Sequence, residues 1–172
     1  MTKVLFKETQ QFRQWWWIIL VLGSTVPTML FSIYTLYQKT ANGIQVGDAM
    51  LIILPLFMGI MIWVFFSLKL EVWIDQEGIH YRFYPLISKN KLISNSEIQR
   101  FEIRKYSPLL DYGGWGIKKR FKWGRAYNVS GNIGLQLYLK TGRKVLFGTQ
   151  RSQAIIYAME EMMKLTKKTP SI

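Results

Sequence analysis

Five cationic side chains stand within eight residues at Lys118-Lys119-Arg120-Phe121-Lys122-Trp123-Gly124-Arg125, with two aromatic rings between them. Ammonium and guanidinium groups meet phosphate, and aromatic rings settle at headgroup depth, so this mixture suits an anionic lipid surface. In an extended chain Phe121 and Trp123 share a face with Lys119 and Arg125, while Lys118, Arg120 and Lys122 line the other. The same pattern also fits a solvated strand face with two core aromatics, or contact with a protein or a nucleic acid. No recognition motif accompanies it, so no specific nucleic-acid target is expected. Just upstream, Gly113, Gly114 and Gly116 flank Trp115. They lack the Lys-Ser/Thr of a phosphate-binding P-loop, and a structural turn, as a bulge or sharp bend, is the expected role.

Little else in the chain has the composition of a reaction centre. His80 is the only histidine and there is no cysteine, which excludes disulfides, thiolate metal sites and cysteine nucleophiles. A lone histidine does not complete a zinc site, and no nucleophile triad motif, Walker loop or dinucleotide fingerprint is present. An enzyme would need Asp111, Glu97 or Glu102 to converge with His80, and no spacing asks for that. A non-enzymatic protein without cofactor or metal is therefore expected.

The charge is unevenly placed. The whole chain carries a formal +13, of which residues 1–67 contribute +2 and residues 68–172 contribute +11. A field of that sign draws polyanions. The first part is instead apolar. Residues 15–37 and 49–68 contain no Asp, Glu, Lys or Arg, and about 20 such residues suffice to cross a bilayer as a helix. Trp15, Trp16 and Trp17 at one end of the first run and Tyr34 and Tyr37 at the other sit where interfacial rings belong. The expectation is a transmembrane helical hairpin over 15–68, with spans of about 15–37 and 49–68 and a turn at Asn42-Gly43. Gly23, Ser24, Thr25 and Gly59 offer small residues for helix packing. Lys3, Lys7 and Arg13 before the hairpin, and Lys69 and Arg82 after it, place a tail of residues 1–14 and the C-terminal part in the cytoplasm of a multi-pass plasma-membrane protein.

From Lys69 the period becomes two. Leu70, Val72 and Ile74 alternate with Glu71, Trp73 and Asp75, a turn falls at Gln76-Glu77-Gly78, and Ile79, Tyr81 and Phe83 complete a hairpin. Pro85 and the polar stretch 88–91 break the chain. Ile98, Phe101 and Ile103 fit a strand, as do the alternating residues 133–139 and, after Thr141-Gly142, residues 144–147. Ile155, Met159, Met162 and Met163 then recur with helical spacing, and Thr149 or Ser152 can cap that helix. Six or seven antiparallel strands and one amphipathic helix are expected over 69–165, ahead of a tail at 166–172. The fold class is α+β: a bent antiparallel sheet or small barrel capped by the C-terminal helix.

Two apolar runs followed by Tyr112-Gly113-Gly114-Trp115-Gly116-Ile117, then Gly131 and Gly134, then Gly148-Thr149-Gln150-Arg151 before the helix, resemble small bacterial membrane proteins with a pleckstrin-homology-like domain. The resemblance covers about residues 50–165 and implies a membrane-tethered module rather than an activity. Phosphoinositide-binding members carry basic residues at the first hairpin loop. Here that loop, Asp75-Gln76-Glu77-Gly78, is acidic, so inositol-lipid binding of that kind is not implied. The functional expectation is a non-enzymatic scaffold or interaction module whose basic domain meets anionic lipid, a protein partner or a second copy. The alternative is an accessory subunit of a larger membrane transport or envelope assembly.

Overall fold

A computed structural model of the chain describes residues 3–12, 15–40, 43 and 46–168. In chain order it contains β1 (Phe6–Gln11), α1 (Trp15–Thr40), a 3₁₀ turn (Val46–Ala49), α2 (Met50–Ser67), β2 (Lys69–Ile74), β3 (Gly78–Tyr84), β4 (Ile87–Ser94), a second 3₁₀ turn (Asn95–Glu97), β5 (Ile98–Lys105), α3 (Pro108–Tyr112), β6 (Gly116–Arg120), β7 (Gly124–Asn128), β8 (Ile133–Leu139), β9 (Lys144–Gly148) and α4 (Ser152–Lys168). The chain divides into two compact units. One comprises Met1–Gln11 with Leu68–Ile172, and the other Phe12–Ser67.

The helical unit holds α1 and α2, which form where the apolar runs predict helices. Their assignment as membrane spans is corrected: among the described residues, no helix is long and apolar enough to cross a membrane. α2 has 18 residues, a rise of about 27 Å at 1.5 Å per residue, against about 30 Å of hydrocarbon. α1 is longer, but Ser24, Thr25, Thr28, Ser32, Thr35 and Gln38 dilute its apolar run. The transmembrane hairpin, and with it the multi-pass plasma-membrane placement with both termini in the cytoplasm, is therefore not supported. Hydroxyls in α1 turn back on the helix, as Thr25 Oγ1 donates to the Val21 carbonyl at 2.9 Å and Thr28 Oγ1 to the Ser24 carbonyl at 2.8 Å. Gly23 and Gly59 have no atom within 4 Å of where a Cβ would stand, so neither marks a close helix crossing. Asn42 of the predicted turn, the side chains of Trp15, Trp16 and Trp17, and the tail beyond 168 lie outside the described residues.

The β unit is built from two sheets, in orders β1-β2-β3-β4 and β5-β8-β9-β7-β6. In the first, Leu70 pairs with Phe83, Val72 with Tyr81 and Ile74 with Ile79, and all six are buried. Alternation of side chains along a strand makes this one apolar face. It meets the second sheet where the Tyr81 ring lies 4.8 Å from Tyr127 and 5.0 Å from Phe147. α4 closes the same core with Ile155, Ala158, Met159 and Met162, each almost fully buried. The expected single bent sheet or small barrel, antiparallel throughout, is thus corrected to two sheets, one of which contains a parallel pair between β7 and β9. The polar stretch 88–91, expected to break the chain, runs inside β4; it reads as a break because that strand is exposed along most of its length. Residues 6–11, expected in a tail, pair with β2 from Phe6 opposite Ile74 to Gln11 opposite Lys69.

On the outer face of the first sheet, the buried Glu71 carboxylate is ion-paired with Arg82 and Lys69. The Arg82 hydrogen bond, with help from Lys69, outweighs burial and holds the carboxyl below the ordinary range. A carboxyl whose folded value is depressed contributes stability above its unfolded value of about 4.3, and that contribution fades as pH falls through the folded value. Because Arg82 is part-exposed and screened, the contribution is modest. Glu71→Gln is expected to lose about 1 kcal/mol at pH 7 and to converge with the parent chain in acid, as read by urea denaturation at pH 7 and pH 3. An equal deficit at both pH values would refute this.

Candidate functional site

The basic stretch is not one extended strand. It folds as a hairpin: Gly116 pairs with Asn128 and Arg120 with Gly124, leaving Phe121, Lys122 and Trp123 as the turn. Gly124 closes it with φ of 79°, a left-handed conformation that glycine adopts without penalty. The two aromatic residues of the turn have opposite fates. Trp123 packs on the outer face of the second sheet, against a cluster of Tyr106, Tyr112, Ala126 and Leu146. The Arg104 guanidinium stacks over its ring at 3.9 Å, and the Tyr112 hydroxyl donates to its carbonyl at 3.3 Å. Burial pushes the Tyr112 phenol up to about 12, so it remains a donor at ordinary pH. Phe121, at the apex, is wholly exposed, with a relative accessibility of 109%.

Lys118, Lys119, Arg120, Lys122 and Arg125 surround this apex, and among the described residues none of them is ion-paired. The five are not all on one side. In register, Lys119 and Arg125 lie opposite each other on the face that carries Tyr127 and Ile117, whereas Lys118 pairs with Ala126 on the face that carries Trp123. Lys119, Arg120, Phe121 and Arg125 line a cavity of about 450 Å³, together with Arg143 of the β8–β9 turn and Lys144 at the start of β9. Among the described residues Glu97 is the one carboxylate on its wall; the Arg120 guanidinium lies at Gly113 and the Lys144 ammonium at the Lys122 carbonyl, which leaves Lys119, Arg125 and Arg143 as the cations of this face. Its wall also includes Tyr81 and Tyr127, whose hydroxyls lie 3.3 Å apart. Arg125 Nη1 donates to the Tyr127 hydroxyl at 3.4 Å. Burial raises the Tyr81 phenol well above its ordinary value.

Compared with known proteins, this chain matches no family model, no curated protein and no solved structure. The functional reading therefore rests on the geometry.

The glycine-rich stretch lies beside the hairpin. Gly113 caps α3 with φ of 76°, Gly114 and Gly116 also have positive φ, and Trp115 is half-buried between them. Arg120 Nη2 lies 3.2 Å from where a Gly113 Cβ would stand, so the cap leaves room for that guanidinium. The residues that an enzyme would have to gather are dispersed. His80 Nε2 lies 2.9 Å from Asp75, its ring stacked on Trp73 at 5.1 Å. Asp111 accepts from Arg104 at 3.1 Å, and Glu102 accepts from the Tyr138 hydroxyl at 2.6 Å. Asp75 was absent from the sequence reading of His80, although it stands five residues away across the acidic turn. Arg143, Tyr81 and Tyr127 were also missed. The β8–β9 turn is legible from Thr141-Gly142, but no local signal says that a parallel β7–β9 pairing will carry it to the turn end of the β6–β7 hairpin.

Proposed function

We propose that the β unit is a non-enzymatic interaction module that docks on an anionic lipid surface through its β6–β7 hairpin. The observation that carries this reading is the fully exposed Phe121 ring at the apex of a hairpin flanked by cations that make no ion pair among the described residues. An aromatic ring at headgroup depth with ammonium groups around it matches a phosphate-rich interface on both counts. The α3 leucines Leu109 and Leu110, also exposed, add apolar surface on the element whose cap abuts Arg120. Exposed aliphatic groups beside the cations favour a bilayer over a nucleic acid, whose bases stack on aromatic rings and whose backbone is polar.

The test is flotation of the full chain with vesicles of phosphatidylcholine alone or with phosphatidylglycerol added. Each cation held at an anionic surface is worth about 1 kcal/mol, so Lys118→Gln with Lys122→Gln is expected to weaken binding to the anionic vesicles by about thirtyfold. Phe121→Ala is expected to weaken it by about tenfold. The reading fails if these variants bind anionic vesicles as the parent does, or if binding is independent of salt. Retention of a protein or a nucleic acid in place of vesicles would also overturn it.

A further inference from the structure

The cavity lies at the turn end of the hairpin, with Phe121 and Gly124 on its wall, and its chemistry is more specific than excess charge. We propose that it is a binding site for a phosphate group, of the phosphomonoester class, held between Arg125 of the β6–β7 hairpin and Arg143 of the β8–β9 turn. The cations come from two elements that the parallel pairing of Arg125 with Val145 fixes side by side, so the site does not depend on one flexible loop. Guanidinium groups present fork-shaped donors that match phosphate oxygens, and Lys119 adds a point charge on the same strand face as Arg125.

The tyrosine pair supplies the third kind of donor. Two hydroxyls hold two protons, and the 3.3 Å contact between Tyr81 and Tyr127 uses one of them. Arg125 already donates to the Tyr127 oxygen. One hydroxyl proton of the pair is left uncommitted at the cavity wall. Both rings are buried, Tyr127 at 1% relative accessibility, so the pair is fixed in place before a ligand arrives. Arg143 is exposed and, among the described residues, bonded only to Thr141 Oγ1 at 3.3 Å, which leaves its remaining donors available. A dianion is favoured over a monoanion because Lys119, Arg125 and Arg143 stand against one carboxylate on this wall.

The phosphate can belong to a soluble metabolite or to a lipid headgroup, and the experiment separates the two. The full chain is titrated calorimetrically with glycerol 3-phosphate. In parallel it is floated with vesicles containing phosphatidic acid, a phosphomonoester, or phosphatidylglycerol, a phosphodiester, matched for total charge. Arg143→Gln and Arg125→Gln are each expected to weaken phosphomonoester binding by about tenfold, and Lys118→Gln, on the opposite face of the hairpin, to leave glycerol 3-phosphate binding unchanged. Binding of glycerol 3-phosphate without a preference for phosphatidic acid establishes a soluble ligand. A preference for phosphatidic acid that Arg143→Gln removes, without binding of the soluble phosphate, establishes a lipid one. No glycerol 3-phosphate binding together with equal flotation on both anionic vesicles overturns the proposal, as does phosphomonoester binding that both arginine variants retain in full. If the apex variants leave vesicle binding intact while Arg143→Gln abolishes glycerol 3-phosphate binding, the surface reading fails and the cavity stands.

Discussion

Gly124→Ala is expected to cost about 3 kcal/mol of stability or more and to abolish ligand binding by the hairpin and its cavity together. Two effects combine. The residue has φ of 79°, where an L side chain costs about 1–2 kcal/mol. A Cβ placed there would also stand 2.2 Å from the Lys144 carbonyl oxygen and 2.8 Å from its carbon. Those are backbone atoms of the adjoining strand, so the clash is relieved only by moving β7 away from β9. That movement would pull Arg125 from Arg143, and the cavity exists only while the two are neighbours. Gly142 is the internal control. It has φ of 78°, almost the same conformation, with no atom within 4 Å of its virtual Cβ. Gly142→Ala should therefore cost only the conformational part, about 1 kcal/mol. The comparison is made on urea midpoints of the two variants, with glycerol 3-phosphate titration alongside. Equal losses for the two glycines would show that the close approach to Lys144 contributes nothing.

The same contrast explains what was legible in the residues. Alternation in 70–74, 79–83 and 133–139 is strong because each of these strands buries one face, and helical spacing at Ile155, Met159 and Met162 is strong because α4 buries one stripe. β4 escaped notice because most of its side chains are exposed, so there is no apolar half to alternate. β6 and β7 were hidden by their charge: a hairpin that carries Lys118, Lys119, Arg120 and Arg125 has few apolar positions left to alternate. The turn between them has none of the usual glycine or asparagine pairs at its centre, and only Gly124 marks its exit. Apolar runs predicted α1 and α2, but a helix and a membrane span are different claims. The described part of α1 keeps a hydroxyl or amide residue at 24, 25, 28, 32, 35 and 38, often within one turn of the last. The candidate site divides similarly. Its apex was readable because charge and rings are adjacent in sequence; its cavity was not, because Arg125 and Arg143 are brought together by the pairing of distant strands and Tyr81 joins them only where the two sheets pack.

The largest of the long-range effects concerns β1, and it is tested at Glu8. This residue faces inward with Phe6 and Gln10, and is buried. Its carboxylate accepts from the Thr149 hydroxyl at 2.6 Å, the Gln150 amide at 2.8 Å and Gln10 Nε2 at 3.1 Å, while Gln10 also donates to the Gly148 carbonyl at 2.6 Å. Two side chains of the first strand thus hold the β9–α4 loop, where the Thr149 hydroxyl oxygen in turn accepts from the Arg151 amide at 3.0 Å ahead of α4. Glu8→Ala strands the buried Thr149 hydroxyl and takes the acceptor from the part-buried Gln150 amide, which is expected to cost about 3 kcal/mol. Glu8→Gln keeps one acceptor and should cost about 1 kcal/mol. The consequence for β1 is larger than for an ordinary edge strand. Gln11 pairs with Lys69, so residues 12–67 form a loop whose ends this strand must hold together. Closing a loop of that length costs about 3–4 kcal/mol of chain entropy, and the contacts of β1 have to offset it. In Glu8→Ala, hydrogen exchange at the β1 amides and at Gln150 should therefore accelerate well before exchange at β2 and β3, as a separate opening unit. If the β1 amides remain as protected as those of β2 in that variant, Glu8 is not the tie, and pairing with β2 alone keeps the first strand in place.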